Sequence, residues 1–207
     1  MAPSTSPHRL EFRDIHRSFG RLRVLSGVSG QAEAGELLLI TGTNGSGKST
    51  LLRCLTGLMR AQRGTIYCRQ DGVELDLEGR RRRLGFLSPD LAFYAELSTL
   101  ENLELFARLR GSDPGRGAEL LDHLGLPKNR AAGALSSGMR QRLRWAFAVL
   151  HRPKILLLDE PLQNLDAPGR RDVTTLLEEH LQHGLAVVAN PDPVDLPQVD
   201  HHVDLAG

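Results

Sequence analysis

Three short stretches of the chain show no polar alternation: residues 37–40, 155–158 and 185–189, all Leu, Ile, Val or Ala. Uninterrupted apolar runs of this length read as strands of a parallel sheet covered on both faces. Residues 10–15 alternate apolar and polar, the pattern of a half-buried strand that ends at Phe19-Gly20. A second strand is predicted around residues 23–25, with Ala34-Gly35 turning into the apolar run that follows. Arg63-Gly64 turns into a strand over 65–68, Asp71-Gly72 marks a hairpin, and residues 84–87 form another buried strand.

From residue 89 to about 150 the period changes to helical. Thr99 is the expected cap of a helix with Asn102 at its third position, apolar residues at 100, 103, 106 and 107, and a stop at Gly111. A second helix is predicted over about 117–124. A third, opened by Ser136-Ser137, carries Met139, Leu143, Ala146, Phe147 and Leu150 and closes before Pro153. A helix over about 168–183 and an edge strand at 203–205 complete the β/α alternation. The expectation is one α/β domain with a mostly parallel sheet and an antiparallel β edge. Its core spans 8–88 and 151–207, and a helical subdomain is inserted at 89–150.

The first buried run feeds G-T-N-G-S-G-K-S-T, residues 42–50, which satisfies the phosphate-binding pattern G-x-x-x-x-G-K-[ST]. Gly42, Gly45 and Gly47 allow the tight turn that points successive N–H groups of Thr43, Asn44, Ser46 and their neighbours inward at phosphate oxygens. Lys48 adds a charge for the β- and γ-phosphates. Ser49, followed by Thr50, offers a hydroxyl to Mg²⁺, and the helix starting here aims its positive end at the nucleotide. The second buried run ends in Asp159-Glu160-Pro161. Two carboxylates at the carboxyl end of a buried strand lie where open α/β sheets place their ligand crevice. Asp159 is suited to hold Mg²⁺, and Glu160 to act as base toward the water attacking the γ-phosphate.

Composition narrows the classes. The chain has 207 residues, with 26 Lys and Arg against 25 acids and a net charge of +1. That balance argues against a nucleic-acid binder. Two cysteines, Cys54 and Cys68, point to a reducing compartment without a disulfide framework. No apolar run approaches the ~20 residues of a membrane span, and the Pro/Ser/Thr-rich first seven residues read as disordered, not as an export segment. A cytoplasmic chain is expected, with any membrane role supplied by a partner.

Between the two motifs lies Leu135-Ser-Ser-Gly-Met-Arg-Gln-Arg142. With it, nearly the whole chain resembles the ATP-binding cassette (ABC) ATPases. The resemblance implies the ABC ATPase fold, with a P-loop NTPase core, and an ATPase that binds ATP and Mg²⁺. It implies that Ser136, Ser137 and Gly138 cover the γ-phosphate on a facing subunit, in a homodimer or a heterodimer with another ABC ATPase. It also implies an integral membrane transporter subunit as partner, with this chain peripheral on the inner face of the cytoplasmic membrane. Phe19 matches the family's adenine-stacking aromatic, although the residue reads equally as a core phenylalanine. Residues 163–166 correspond to the loop that crosses the dimer interface. The length and the 136–142 segment look closest to the small cassettes of heme export for cytochrome c maturation.

Ser137 for glycine and Met139 for glutamine are mild departures from the family's motif, and two further matches fail where hydrolysis is concerned. Asp90 stands where a glutamine usually senses Mg²⁺ and the attacking water, and Asn190-Pro191 where a histidine usually contacts the γ-phosphate. Asp90 is therefore a candidate metal and catalytic residue, and Asn190 the nearest polar substitute for the histidine. Slow turnover is expected, and a regulatory or assembly module with weak hydrolysis is the alternative reading. Arg80–Arg83 read as a solvated strand entrance, His201-His202 as an exposed tail, and Phe93, Tyr94 and Leu97 as core or as a docking groove.

Overall fold

In the computed structural model, which describes residues 7–191 and 196–205, the elements follow in the order β1 (His8–Phe19), β2 (Leu22–Glu33), β3 (Leu37–Thr41), α1 (Lys48–Thr56), β4 (Arg63–Gln70), β5 (Val73–Glu74), α2 (Leu77–Arg83) and β6 (Leu84–Leu87). Then come α3 (Thr99–Arg110), α4 (Arg116–His123), α5 (Ser137–Val149), β7 (Ile155–Asp159), α6 (Ala167–Leu181), β8 (Leu185–Ala189) and β9 (His201–Asp204). The expected disorder of the N-terminal residues falls mostly outside the described residues.

The apolar runs form a parallel sheet in the order β6-β7-β8-β3-β9. Successive side chains of a strand point to opposite faces, and the core divides accordingly. Leu37, Leu39, Leu156, Leu158, Ala186 and Val188 pack on the side of α3 to α6. Leu38, Ile40, Ile155, Leu157, Leu185 and Val187 pack on the side of α1 and the antiparallel strands. Both faces are covered, which is why these strands show no alternation. The antiparallel strands make a separate sheet, β2-β1-β4-β5.

Several local expectations are corrected. β1 and β2 run for 12 residues each, well beyond the predicted stretches. Register shifts around Asp14, whose φ is 52°, break the alternation after Ile15. The Gly/Ser-rich part of β2 stays in the sheet because the Phe12 ring covers Gly30, where a Cβ would stand 2.6 Å from Phe12 Cζ. Arg80–Arg83 belong to a helix capped by Asp76, which accepts from the Gly79 N–H at 2.7 Å. Arg81 donates from there to the Gly57 carbonyl at 2.8 Å.

The cap of α3 is Ser98, not Thr99: Ser98 and Glu101 form a reciprocal capping box, while the Thr99 hydroxyl turns to the Lys128 carbonyl at 2.9 Å. Phe93 packs edge-on to Phe106 and Phe147, so it is core, whereas Tyr94 lies exposed over Phe106. His201 and His202 sit on β9, not in a tail, with His201 paired to Glu36 at 3.0 Å and His202 to Thr41 at 2.7 Å.

Candidate functional site

β3 delivers the chain into the glycine-rich loop, and α1 leaves it. Gly42, Gly45 and Gly47 have φ of 142°, 87° and 105°, the region open to glycine. At Gly47 a Cβ would also stand 2.8 Å from Val24 Cγ1 and 3.0 Å from the Val24 carbonyl, so β2 closes the loop from behind. Gly47 caps α1 with no side-chain bond, which leaves the first-turn N–H groups turned toward the loop. Lys48 is only 5% exposed and donates to the carbonyls of Gly42 at 2.7 Å and Thr43 at 3.0 Å. Its ammonium is thereby held over the loop. A cleft of about 290 Å³ is lined by Val24, Asn44, Gly45, Gly47, Lys48, Ser49, Thr50 and Glu160. A neighbouring cleft of about 710 Å³ runs along β2 past Arg23, Val24, Thr43 and Ser46.

Asp159 ends β7, and Glu160 follows at a φ of 49°. The Asp159 side chain is buried beside Ser49. Burial pushes its carboxyl above the usual aspartate range, against the opposing pull of the Ser49 hydrogen bond. Its Oδ1 has no partner among the described residues, and neither has the buried Ser46 Oγ. Glu160 lines the loop cleft; its carboxylate accepts from Gln163 Nε2 at 2.8 Å, while its backbone N–H donates to the Ala189 carbonyl at 2.9 Å. The fold thus gathers Lys48, Ser49, Asp159 and Glu160 at one end of the sheet. Asn190 joins them at the end of β8, its N–H donating to Ile40 two residues before Gly42.

Other expected residues stand elsewhere. Asp90 does not line the phosphate-loop cleft; its carboxylate pairs with Arg53 on α1 and lines a separate cleft of about 440 Å³ with Thr56, Phe86 and Ser88. The expectation that Asp90 is a metal and catalytic residue draws no support from this arrangement, in which the exposed carboxylate pairs with Arg53. Phe19 is 46% exposed at the end of β1, with the Arg17 guanidinium 4.9 Å from its ring centroid, which removes the core alternative. It lines neither cleft at the loop. Ser136 caps α5, accepting from the Met139 N–H at 3.2 Å, and Ser136, Ser137 and Gly138 lie apart from the chain's own phosphate-loop cleft. Gly138 lies against the 163–166 loop, where a Cβ would be 2.8 Å from the Asn164 carbonyl.

Sequence reasoning missed Gln141 and Trp145, whose donors reach the carbonyls of Glu160 and Pro161. Their one signal was a buried polar position, at helical spacing, on the same side of α5. Asp166, expected in the interface loop, also caps α6 and pairs with Arg142 at 2.9 Å.

The family pattern described as ABC transporter matches residues 25–163, from the start of the loop-facing part of β2 through the acidic pair. The chain belongs to the ABC transporter family. It is an ATP-binding domain of that family, whose general activity is ATP hydrolysis. It is 36% identical over 175 residues to the sulfate/thiosulfate import ATP-binding protein CysA of Bordetella pertussis, covering 79% of this chain and 49% of that protein. It is 34% identical to the phosphonates import ATP-binding protein PhnC of Alcaligenes faecalis, covering 87% of this chain and 73% of that one. Among solved structures, the ATP-binding subunit of an ABC transporter superposes with a TM-score of 0.77 at 27% identity, covering 87% of this chain and 78% of the other. The chain spans about half the length of the sulfate/thiosulfate relatives it matches. Among the described residues, no helix of this ABC domain is long and apolar enough to cross a membrane.

Proposed function

We propose that this ABC domain is the ATP-binding and ATP-hydrolysing subunit of a transporter and that it drives a separate membrane subunit. The observation that carries the reading is that the buried Lys48 and Glu160 line one cleft at the carboxyl end of the parallel sheet. A nucleotide there places its phosphates on the loop N–H groups and Lys48, with Glu160 as the base for the attacking water. The unpartnered Asp159 Oδ1 beside the Ser49 hydroxyl fits a hard cation, so these two residues would hold Mg²⁺. When bound, that ion supplies charge neutralisation on the phosphates.

Ser136, Ser137 and Gly138 stand apart from the loop cleft of their own chain, which supports a head-to-tail pair of cassettes in which they cover the γ-phosphate of the facing subunit. The pair is a homodimer or a heterodimer, held on the inner face of the cytoplasmic membrane by its partner. Adenine stacking is assigned to Phe19, whose ring is exposed. Asn190 is assigned to the γ-phosphate. The relatives named above are import proteins for sulfate, thiosulfate and phosphonates, and a methionine import protein, MetN of Mesorhizobium japonicum, is 34% identical. They give no support to the heme-export assignment, which rested on length and the 136–142 segment alone.

A second reading, an ATP-binding assembly or regulatory module with weak hydrolysis, is favoured by one observation: Asp90 is held by Arg53 instead of reaching the nucleotide end. Light scattering on Glu160→Gln with ATP–Mg²⁺, beside phosphate release by the wild type, decides between them. An ATP-dependent dimer with measurable wild-type turnover is expected. A dimer without turnover would favour the module, and a persistent monomer at saturating ATP would count against the paired cassette.

A further inference from the structure

Gln141, Arg144 and Trp145 stand at i, i+3 and i+4 on one face of α5. Gln141 is 1% exposed and its Nε2 donates to two consecutive carbonyls, those of Glu160 at 3.1 Å and Pro161 at 3.0 Å. Trp145, also 1% exposed, adds a bond from Nε1 to the Pro161 carbonyl at 2.8 Å. Gln141 Oε1 is braced in turn by Arg144 at 3.2 Å, and the same guanidinium donates through Nε to the Leu91 carbonyl at 3.3 Å. A buried amide is costly unless it is bonded. This one is bonded at both ends, and its donors go to the backbone that follows β7 instead of to its own helix.

That backbone is in an unusual state. Glu160 has a φ of 49°, a conformation a β-substituted residue keeps only when its surroundings over-determine it. Its N–H is tied to Ala189, and its carbonyl accepts from Gln141 and from the Gln163 N–H at 3.2 Å. Fixing the peptide groups on both sides of the Glu160 Cα fixes the direction in which its side chain leaves the backbone, and Gln163 Nε2 at 2.8 Å holds the carboxylate at the far end.

We propose that Gln141, braced by Arg144 and assisted by Trp145, is the positioning residue that aims the Glu160 carboxylate into the phosphate-loop cleft. The same bonds link the turn at Ser88–Leu91, where Asp90 stands, to the Glu160 backbone through a relay of Arg144 and Gln141. The inference rests on Glu160 being the base.

The test is Gln141→Met in the full chain, which keeps length and approximate volume and removes the amide. A misplacement on the order of 1 Å costs up to about 10²-fold in rate. Steady-state kcat should fall about 10–10²-fold, while KM for ATP and the ATP dissociation constant stay within about 2-fold. In the Glu160→Gln background the same change should slow residual turnover no further, because no base remains to be aimed. Trp145→Phe, which keeps the ring and removes one donor, should show the same split with a smaller loss. An unchanged kcat in both Gln141→Met and Trp145→Phe overturns the inference. So does a loss that appears equally in nucleotide affinity, or one that adds fully to Glu160→Gln. Wild-type turnover in Glu160→Gln alone would remove the base assignment itself, a different failure from a normal Gln141→Met.

Discussion

The two ends of the parallel sheet are built from the same kind of strand and finished in opposite ways. At the carboxyl end the chain leaves β3 and β7 through positive φ values at Gly42 and Glu160, buries Lys48, and leaves Ser46 Oγ and Asp159 Oδ1 without partners among the described residues. At the amino end the backbone closes on itself. The Lys154 carbonyl accepts from Leu185 at 3.0 Å, the Lys154 N–H donates to Arg83 at 2.8 Å, and Gly35 donates to Gly184 at 2.9 Å. His180 adds a bond to the Leu185 carbonyl at 2.9 Å, and a Cβ at Gly184 would stand 2.7 Å from the Lys154 carbonyl. The carboxyl end sets a buried lysine and an unbonded carboxylate oxygen at the glycine-loop cleft; the amino end, although it too has a positive φ at Arg152 and a His151 Nδ1 unbonded among the described residues, ties its strand entrances together through backbone hydrogen bonds.

If the ends divide the work this way, substitutions at the carboxyl end should change chemistry and leave stability intact, and those at the amino end the reverse. The largest effect belongs to Glu160→Gln: general-base catalysis contributes about 10²–10⁴-fold. Phosphate release should fall by that factor with an unchanged or raised melting temperature. A large loss of stability in this variant would erase the distinction.

Next in size is the acid response of the amino end. Burial holds His180 at about 4, below the histidine value of 6.5, so the fold requires it neutral. Its contribution is complete above pH 6.5 and is lost as the pH falls toward 4, because the unfolded chain takes up the proton first. Between pH 7.5 and 5 this amounts to about 2 kcal/mol. Urea unfolding of His180→Gln should show a shallower pH dependence than wild type, with the ATP dissociation constant at pH 7.5 unchanged. An equal slope would show that this end does not carry the effect.

The smallest effect is expected from Asp90→Gln. An exposed ion pair contributes about 0–1 kcal/mol, so stability should move by less than that and turnover by less than about tenfold. Abolished turnover in phosphate-release assays would return Asp90 to the nucleotide end.

The contrast also explains what the sequence disclosed. The phosphate loop is chemistry made by backbone, and backbone chemistry needs glycines at fixed spacing, which are visible without a fold. The parallel strands were equally plain, because a strand covered on both faces leaves no alternation. Side-chain partnership was hidden. Nothing local tells that Arg53 takes Asp90 across 37 positions, or that Gln141 reaches the carbonyls of Glu160 and Pro161. The strand prediction stopped near residue 25 because the covering of the Gly/Ser run that follows, the Phe12 ring, comes from another strand. The Arg80–Arg83 run hid α2, a helix with no buried residue.

The direct test of the account is the ATP–Mg²⁺ dissociation constant of Lys48→Ala, measured by titration calorimetry beside its melting temperature without nucleotide. A charge-assisted contact contributes about 1.5–3 kcal/mol, so affinity should fall at least about tenfold while the melting temperature holds. Unchanged affinity, or a loss explained by unfolding, would contradict the assignment of this end of the sheet to the nucleotide.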